Sequence, residues 1–388
     1  MKSIILFSLF LSFCVNAEEI YSSQQLLAKS LSRLNTTEFD SPQEINEVSD
    51  WLVGLPTTEF SVLQSDNALG ADEYELSLNL PFKSRVRKKL DEQLSNQTQS
   101  LVSIAQQNKA LFVSGLIRET IWQYKIAQKK RDIEQSKLDW LYKQKSLLTQ
   151  LVQSGGSNLD LLFVEKQLLD AQLVILELDQ EKQLRLSLFH DITGVSQIPE
   201  GFYEKGIKDE RIIFSKHPRV QQLQLSMQQA DLQYQLAGKA SNPINVSLTA
   251  LDIKSIGAND RQYGVGIALP IGLSKSKTQA ASSSWLQQQN VLSNQLITFE
   301  RSFSTLFSEL RGEHNFLSNK QELLEQQTQK TKQIFNKLEQ LRKNNELNQG
   351  LFFQRMIELI ASIHQGELNQ LYINQNQSRQ NQLAGVSL

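Results

Sequence analysis

Cysteine is nearly missing from this 388-residue chain: the one present, Cys14, lies in an apolar leader. Disulfide staples and thiol chemistry are therefore excluded from the mature protein if the leader is removed. Proline (7) and glycine (17) are too few to punctuate many short elements, so a small number of very long ones is expected. No charge sign dominates: 40 Lys and Arg stand against 41 Asp and Glu, which leaves no global field to draw in nucleic acid. After the leader no run of about 18 apolar residues occurs, which excludes a membrane-spanning helix.

What is present begins with "MKSIILFSLFLSFCVNAEE", one Lys, an apolar run from Ile4 to Phe13, then Val15-Asn16-Ala17. This predicts a secretory signal over residues 1–17, cleaved after Ala17, and hence an exported protein. Lipid attachment at Cys14 is disfavoured because bulky Phe13 precedes it where such signals want a small residue.

From Lys83 to about Gln153 there is no proline and only Gly115, which permits one helix of some 70 residues, roughly 105 Å long. A break follows at Ser154-Gly155-Gly156-Ser157-Asn158. A second helix then runs to about Asp191, with Leu161, Val164, Leu168, Ala171, Ile175 and Leu178 stepping by 3 and 4 in a coiled-coil seam. Residues 193–216 read as a linker. His217-Pro218 opens a helix to about Ala240, and a long helix from near Ser274 carries one seam through Leu292, Leu296, Phe299, Phe303, Leu306 and Leu310. The same rhythm continues through Leu324, Thr331, Ile334, Leu338 and Leu341. A second break is expected at Asn344-Asn345, then a last helix from about Gln349 to Gln377.

Two segments alternate instead. "YELSLNLPF" (74–82) and "YGVGIALPI" (263–271) both run from Tyr to a Leu-Pro, 189 positions apart. Each is preceded by another candidate strand, "TEFSVLQ" and "NPINVSLTAL", across the polar turns "SDNALGAD" and "DIKSIGANDR". Each half thus reads helix, strand, turn, strand, long helix, hairpin, helix, an internal duplication with repeats over 18–196 and 197–388. In the first repeat the opening helix, between about Ser22 and Val53, is expected to break near "NTTEFDSPQE".

The alternation puts Tyr74, Leu76, Leu78 and Leu80 on one face and Glu73, Glu75, Ser77 and Asn79 on the other. Tyr263, Val265, Ile267 and Leu269 repeat the apolar set. An exported chain with strands of about ten residues, apolar on one side and wet on the other, suits a membrane barrel. Four strands cannot close one, because open edges would leave backbone groups unpaired in lipid. Identical copies must complete it, and three copies give twelve strands. The alternative is a soluble periplasmic coiled-coil adaptor or scaffold.

Three features together carry a family resemblance: the duplicated units at Leu80-Pro81 and Leu269-Pro270, the "HPRVQQLQLSMQQADLQYQLA" helix leading into "NPINVSLTAL", and the "GGSNLDLLFVEKQLLDAQ" hairpin. In their order and spacing the mature chain resembles the TolC-like outer-membrane efflux proteins. The resemblance implies a mainly α fold with a small β part, in which long antiparallel coiled coils form an α-barrel. It also implies four strands per protomer in a trimeric twelve-stranded transmembrane β-barrel, with Pro81 and Pro270 at the strand-to-helix turns. It further implies an exit duct in the outer membrane, extending into the periplasm and working with a periplasmic adaptor and an inner-membrane transporter. "DRQYGVGIALPIG" looks most like the branch that exports heavy-metal cations; small molecules are the other cargo class.

No catalytic constellation is expected, and no cofactor. His190, His217, His314 and His364 lack the spacing of metal ligands. The functional candidates are the hairpin breaks: Gly155, Gly156 and Asn345 for sharp reversal, and Asp160 and Glu346 just beyond. In a trimer those acids form carboxylate rings able to select cations or hold the tip shut, or they serve only as first-turn acids stabilising helix N-termini. Finally, Lys83, Arg85, Arg87, Lys88 and Lys89 crowd a helix start that disfavours cations, which suggests either anionic lipid or solvated surface charge.

Overall fold

The computed structural model describes residues 21–34, 50–67, 70–155, 158–207, 210–239, 243–255, 257–269, 279–344 and 349–388. The expected signal, the break near 35–44, Gly156, Pro270, Asn345 and Glu346 lie outside them.

Two very long helices dominate. Helix α2 spans Arg85–Gln153 and α6 spans Gln279–Lys343. Neither holds an internal proline, and their Gln, Glu, Lys and Leu content favours helix throughout. Ser84 caps α2 by accepting a hydrogen bond from Arg87 N at 3.2 Å. The remaining elements are α1 (Ser23–Leu34), β1 (Thr57–Leu63), β2 (Asp72–Phe82), α3 (Leu159–Thr193) and α4 (Glu210–Lys216), then α5 (Pro218–Lys239), β3 (Ile244–Ser255), β4 (Ala258–Ala268), α7 (Gln349–Ile363) and α8 (Gln365–Leu383).

The four strands form one antiparallel sheet in the order β1-β2-β3-β4. The hairpin β3-β4 is tighter than its sequence implies. Asp252–Ser255 and Ala258–Arg261, which read as turn, are paired strand, with Ser255 opposite Ala258. Their polar side chains are turn formers, but the β2 ladder reaches them through Asp72 opposite Lys254, and backbone pairing overrides local preference.

In the helical layer α3 packs on α2, α2 packs on α5, α7 and α8, and these three pack on α6. One apolar cluster joins the two hairpins at the end away from the sheet: Leu138, Leu141, Leu148, Val164, Leu168 and Ala171 meet Phe352, Phe353 and Met356. This is the seam expected along α3. The seam expected along α6 is partly rotated: Phe303 and Phe307 are buried, whereas Leu306 and Ile334 are exposed. The expected linker contains α4, which docks Ile213 and Phe214 on Phe303 and Phe307. The expected last helix is two, interrupted at His364.

A buried ion pair ties the middle together. Arg118 on α2 donates from Nε to Glu204 Oε1 (3.0 Å), from Nη2 to Oε2 (2.6 Å), and from Nη1 to Gln382 Oε1 (2.6 Å) and the Val386 carbonyl (2.8 Å). Ser378 and Asn381 of α8 donate to the same carboxylate. Burial alone would raise the Glu204 carboxyl, but the bonds from Arg118, Ser378 and Asn381 prevail and hold it below the usual carboxylate range.

Candidate functional site

Strand register decides what each face of the sheet presents. Phe60, Leu76, Ala250 and Tyr263 lie opposite one another in successive strands, as do Thr58, Leu78, Leu248 and Val265. Leu80, Val246 and Ile267 make a further row, and Phe82 with Ile244 the next. Because side chains alternate with period 2, all these residues share one face. Tyr74 to Phe82 on that face spans eight residue rises, about 27 Å along the strand. The face is bare in the single chain: Tyr263 is 82% exposed and Val265 72%, with Leu76, Ile267 and Leu269 also exposed.

The other face is polar over most of its length. Its rows run Thr57-Asn79-Ser247-Gly266, Glu59-Ser77-Thr249-Gly264 and Ser61-Glu75-Leu251-Gln262. Gly264 and Gly266 leave room there for neighbouring hydroxyls. A Cβ on Gly264 would come within 2.6 Å of Thr249 Oγ1, and one on Gly266 within 2.3 Å of Ser247 Oγ. Apolar and polar faces therefore fall as the alternation in 74–80 and 263–269 predicts.

Both outer strands, β1 and β4, have a neighbour on one side only among the described residues. Each leaves a row of backbone N–H and C=O groups unpaired within the chain. The helical layer ends on the same two sides. Helix α2 continues from β2, α5 leads into β3 and α6 follows β4, with α3 beyond α2. The two flanking helices carry bare apolar stripes: Leu162, Leu169, Leu173, Leu176 and Leu184 on α3, and Phe316, Leu323 and Ile334 on α6. Sequence reading located one seam per helix and missed these second stripes, although their steps of 7, 4, 3 and 8 in α3 were available to it.

At the far tip, α2 ends in Ser154 and Gly155. Gly155 has φ +93°, a left-handed conformation suited to glycine, as the expected reversal requires. Asp160 lies in the first turn of α3, whose N-cap Asn158 makes no side-chain capping bond. Arg342 near the end of α6 donates to Gln144 Oε1 of α2 at 2.8 Å and lies over Phe352, so both hairpins meet at this end. Pro81, at the other end of α2, is held in β2 opposite Asn245.

His217 has a defined local role. Its Nδ1 accepts a hydrogen bond from Arg219 N at 3.0 Å, closing the start of α5, and its ring packs on Phe299 at 4.9 Å. Burial, with the nearby Arg219 charge, lowers its pKa to about 4. It is a neutral helix cap, as expected from its place before Pro218. Among the described residues no group of three His, Cys, Asp or Glu side chains is placed to hold a metal.

No family model matches the sequence, and no curated relative does. Solved structures do match. The CusC transmembrane channel superposes with a TM-score of 0.66 at 13% identity, covering 95% of this chain and 94% of that one. The outer-membrane channel OprN gives 0.64 at 13% identity, covering 93% and 89%. The CmeC outer membrane channel of Campylobacter jejuni gives 0.59 at 13% identity, covering 95% and 84%. Over nearly its whole length, this chain has the fold of the TolC-like outer-membrane channels.

Proposed function

We propose that this protein is the outer-membrane exit duct of an export system: three copies join into a twelve-stranded β-barrel continuous with a helical tube in the periplasm. One observation carries the reading. The four-stranded sheet has an apolar face, a polar face and two open edges. In hydrocarbon the apolar face is stable, but the open edges are not, since each unpaired backbone group costs several kcal/mol.

Pairing β4 of one copy with β1 of the next removes both edges. The same rotation brings α6 of one copy against α3 of the next, covering both bare stripes. Two copies would give eight strands, a barrel only wide enough for its own side chains to fill. A duct needs more, and three is the number the family resemblance implies. Tyr74, Leu76, Leu78, Leu80, Tyr263, Val265, Ile267 and Leu269 then face lipid, while Asn79, Ser77, Ser247 and Thr249 line a wet lumen.

The partner classes follow from the architecture. A passive duct has no energy source, so an inner-membrane transporter must drive export, and a periplasmic adaptor must seal it to the tip. The cargo is small molecules or metal cations. Asp160 and Glu346 form carboxylate rings at the tip that tune cation passage, or act solely as helix-start acids; conductance separates these roles. The matching structures named above are channels, which favours a non-catalytic role.

Reconstitution tests the reading. The purified chain should require detergent, run as a trimer and open conducting pores in planar bilayers. A monomer that stays soluble without detergent and conducts nothing would establish a periplasmic scaffold instead.

A further inference from the structure

The two ends of the sheet differ in charge. At the end joined to the long helices, residues 51–53 pair back on residues 81–83. Leu52 bridges Phe82, Lys83 N donates to the Trp51 carbonyl at 2.8 Å, and Val53 N donates to the Pro81 carbonyl at 2.8 Å. That clasp sets the Trp51 ring 5.5 Å from Phe82. It nevertheless leaves Trp51 57% and Leu55 86% exposed.

Immediately beyond comes the basic start of α2. Five cations occur there, but the structure sorts them. Lys83 is buried and pairs with Asp91 at 2.7 Å, and Arg87 approaches the same carboxylate at 3.6 Å. Arg85, Lys88 and Lys89 have exposed side chains. They occupy positions i, i+3 and i+4, one face of the helix. Positive charge at a helix N-terminus opposes the helix dipole, and an external anion would offset it at the three residues that Asp91 does not reach. At the loop end of the sheet the balance reverses: Asp66, Asp72, Glu73, Asp252 and Asp260 stand against Lys254 and Arg261.

Exposed aromatic and aliphatic side chains beside a basic cluster, at the end of an apolar band, match the chemistry of a bilayer's interfacial layer. We propose that Trp51 and Leu55 insert at the head-group level of the leaflet on the helical side. Arg85, Lys88 and Lys89 there bind the phosphates of anionic phospholipids. The collar rests on the membrane-channel reading above. It adds an orientation and a lipid class: the collar fixes how deep the barrel sits and prefers phosphatidylglycerol-type head groups over zwitterionic ones.

The test uses the full chain in nanodiscs of phosphatidylcholine, with and without phosphatidylglycerol, followed by native mass spectrometry of the lipids that stay bound after mild extraction. Wild type should retain phosphatidylglycerol preferentially. Each basic residue near a membrane surface is worth about fivefold in lipid partitioning, so Arg85→Glu/Lys88→Glu/Lys89→Glu, which removes three and adds repulsion, should lose that preference by well over about a hundredfold. The neutral set Arg85→Gln/Lys88→Gln/Lys89→Gln should lose roughly a hundredfold, less than the reversed set, and carries the test alone if charge reversal prevents assembly. Trp51→Ala should weaken retention of both lipids. Inorganic phosphate should fail to displace the lipid; full displacement would mark a free-anion site and overturn the proposal. Equal phosphatidylglycerol retention by wild type and the neutral set, with both inserted, would also overturn the collar while leaving the channel reading standing. Failure of wild type to insert in either membrane would overturn the channel reading itself.

Discussion

Arg118→Met is the most informative single perturbation of the helical region. The guanidinium is only 4% exposed and its partner Glu204 11%. Removing it strips the carboxylate of its cation and leaves Gln382 Oε1 and the Val386 carbonyl without their donor. Ser378 and Asn381 still donate to Glu204, but a buried carboxylate without a counter-charge costs about 3–5 kcal/mol. With an unfolding entropy of about 2.1 cal/mol/K per residue, a 388-residue chain shifts by about 1.2 °C per kcal/mol, which predicts a drop of about 4–6 °C in the midpoint of helix loss followed by circular dichroism. The partner substitution supplies the control. Arg118→Met/Glu204→Gln removes the stranded charge and should recover a substantial part of the loss. The pH response has a fixed sign. Glu204 titrates below its unfolded value, so the pair stabilises above about pH 4.3 and that contribution fades as pH falls through the folded value. The deficit of Arg118→Met should therefore shrink in acid. A single variant within 1 °C of wild type, or a double variant no better than the single, would refute the assignment of this pair as a structural tie.

Three further outcomes follow. The His217 pKa of about 4 lies below its unfolded value, so the α5 cap holds above about pH 6.5 and weakens as pH falls from there towards 4; His217→Asn should flatten that part of the stability profile, and an unchanged profile would contradict the cap. Val265→Arg on the apolar face should destabilise the assembled barrel by about 2–4 kcal/mol per copy near the membrane centre, read as loss of the heat-resistant oligomer; Thr249→Asn on the polar face should leave the oligomer intact, and equal effects would contradict the facing. Asp160→Asn with Glu346→Gln should raise single-channel conductance or change cation selectivity if the tip acids form a ring, and unchanged conductance and selectivity would reduce them to helix-start acids.

The sequence carried the periodic features well. Alternation in 74–82 and the stepping of Val164, Leu168 and Ala171 report burial directly, because each follows the repeat of its own element. It failed where partners are distant. Asp252–Arg261 reads as turn residue by residue, yet the β2 ladder recruits Asp252–Lys254 and β3 in turn pairs Ala258–Arg261. Glu210–Lys216 looked like linker beside Gly201 and Gly206, but its Ile213 and Phe214 find a surface on α6. The interruption at His364 escaped because Gln, Glu and Leu continue on both sides. The Arg118–Glu204 tie bridges 86 positions and leaves no local mark. Basic residues 83–89 showed only as a cluster; the structure divided them into two held by Asp91 and three facing outward.

Inter-subunit cross-linking tests the central claim most directly. Within one chain β1 and β4 are separated by β2 and β3, three spacings of about 4.8 Å, or about 14 Å, far beyond disulfide reach. The only native cysteine is Cys14 in the expected signal, so introduced thiols report without background. Ser61→Cys in β1, combined in turn with Asp260→Cys or Gln262→Cys in β4, should give covalent dimers and trimers on oxidation in membranes for the pair in register. Monomer alone across every combination, from protein inserted in the membrane, would contradict the closure of the barrel by identical neighbours.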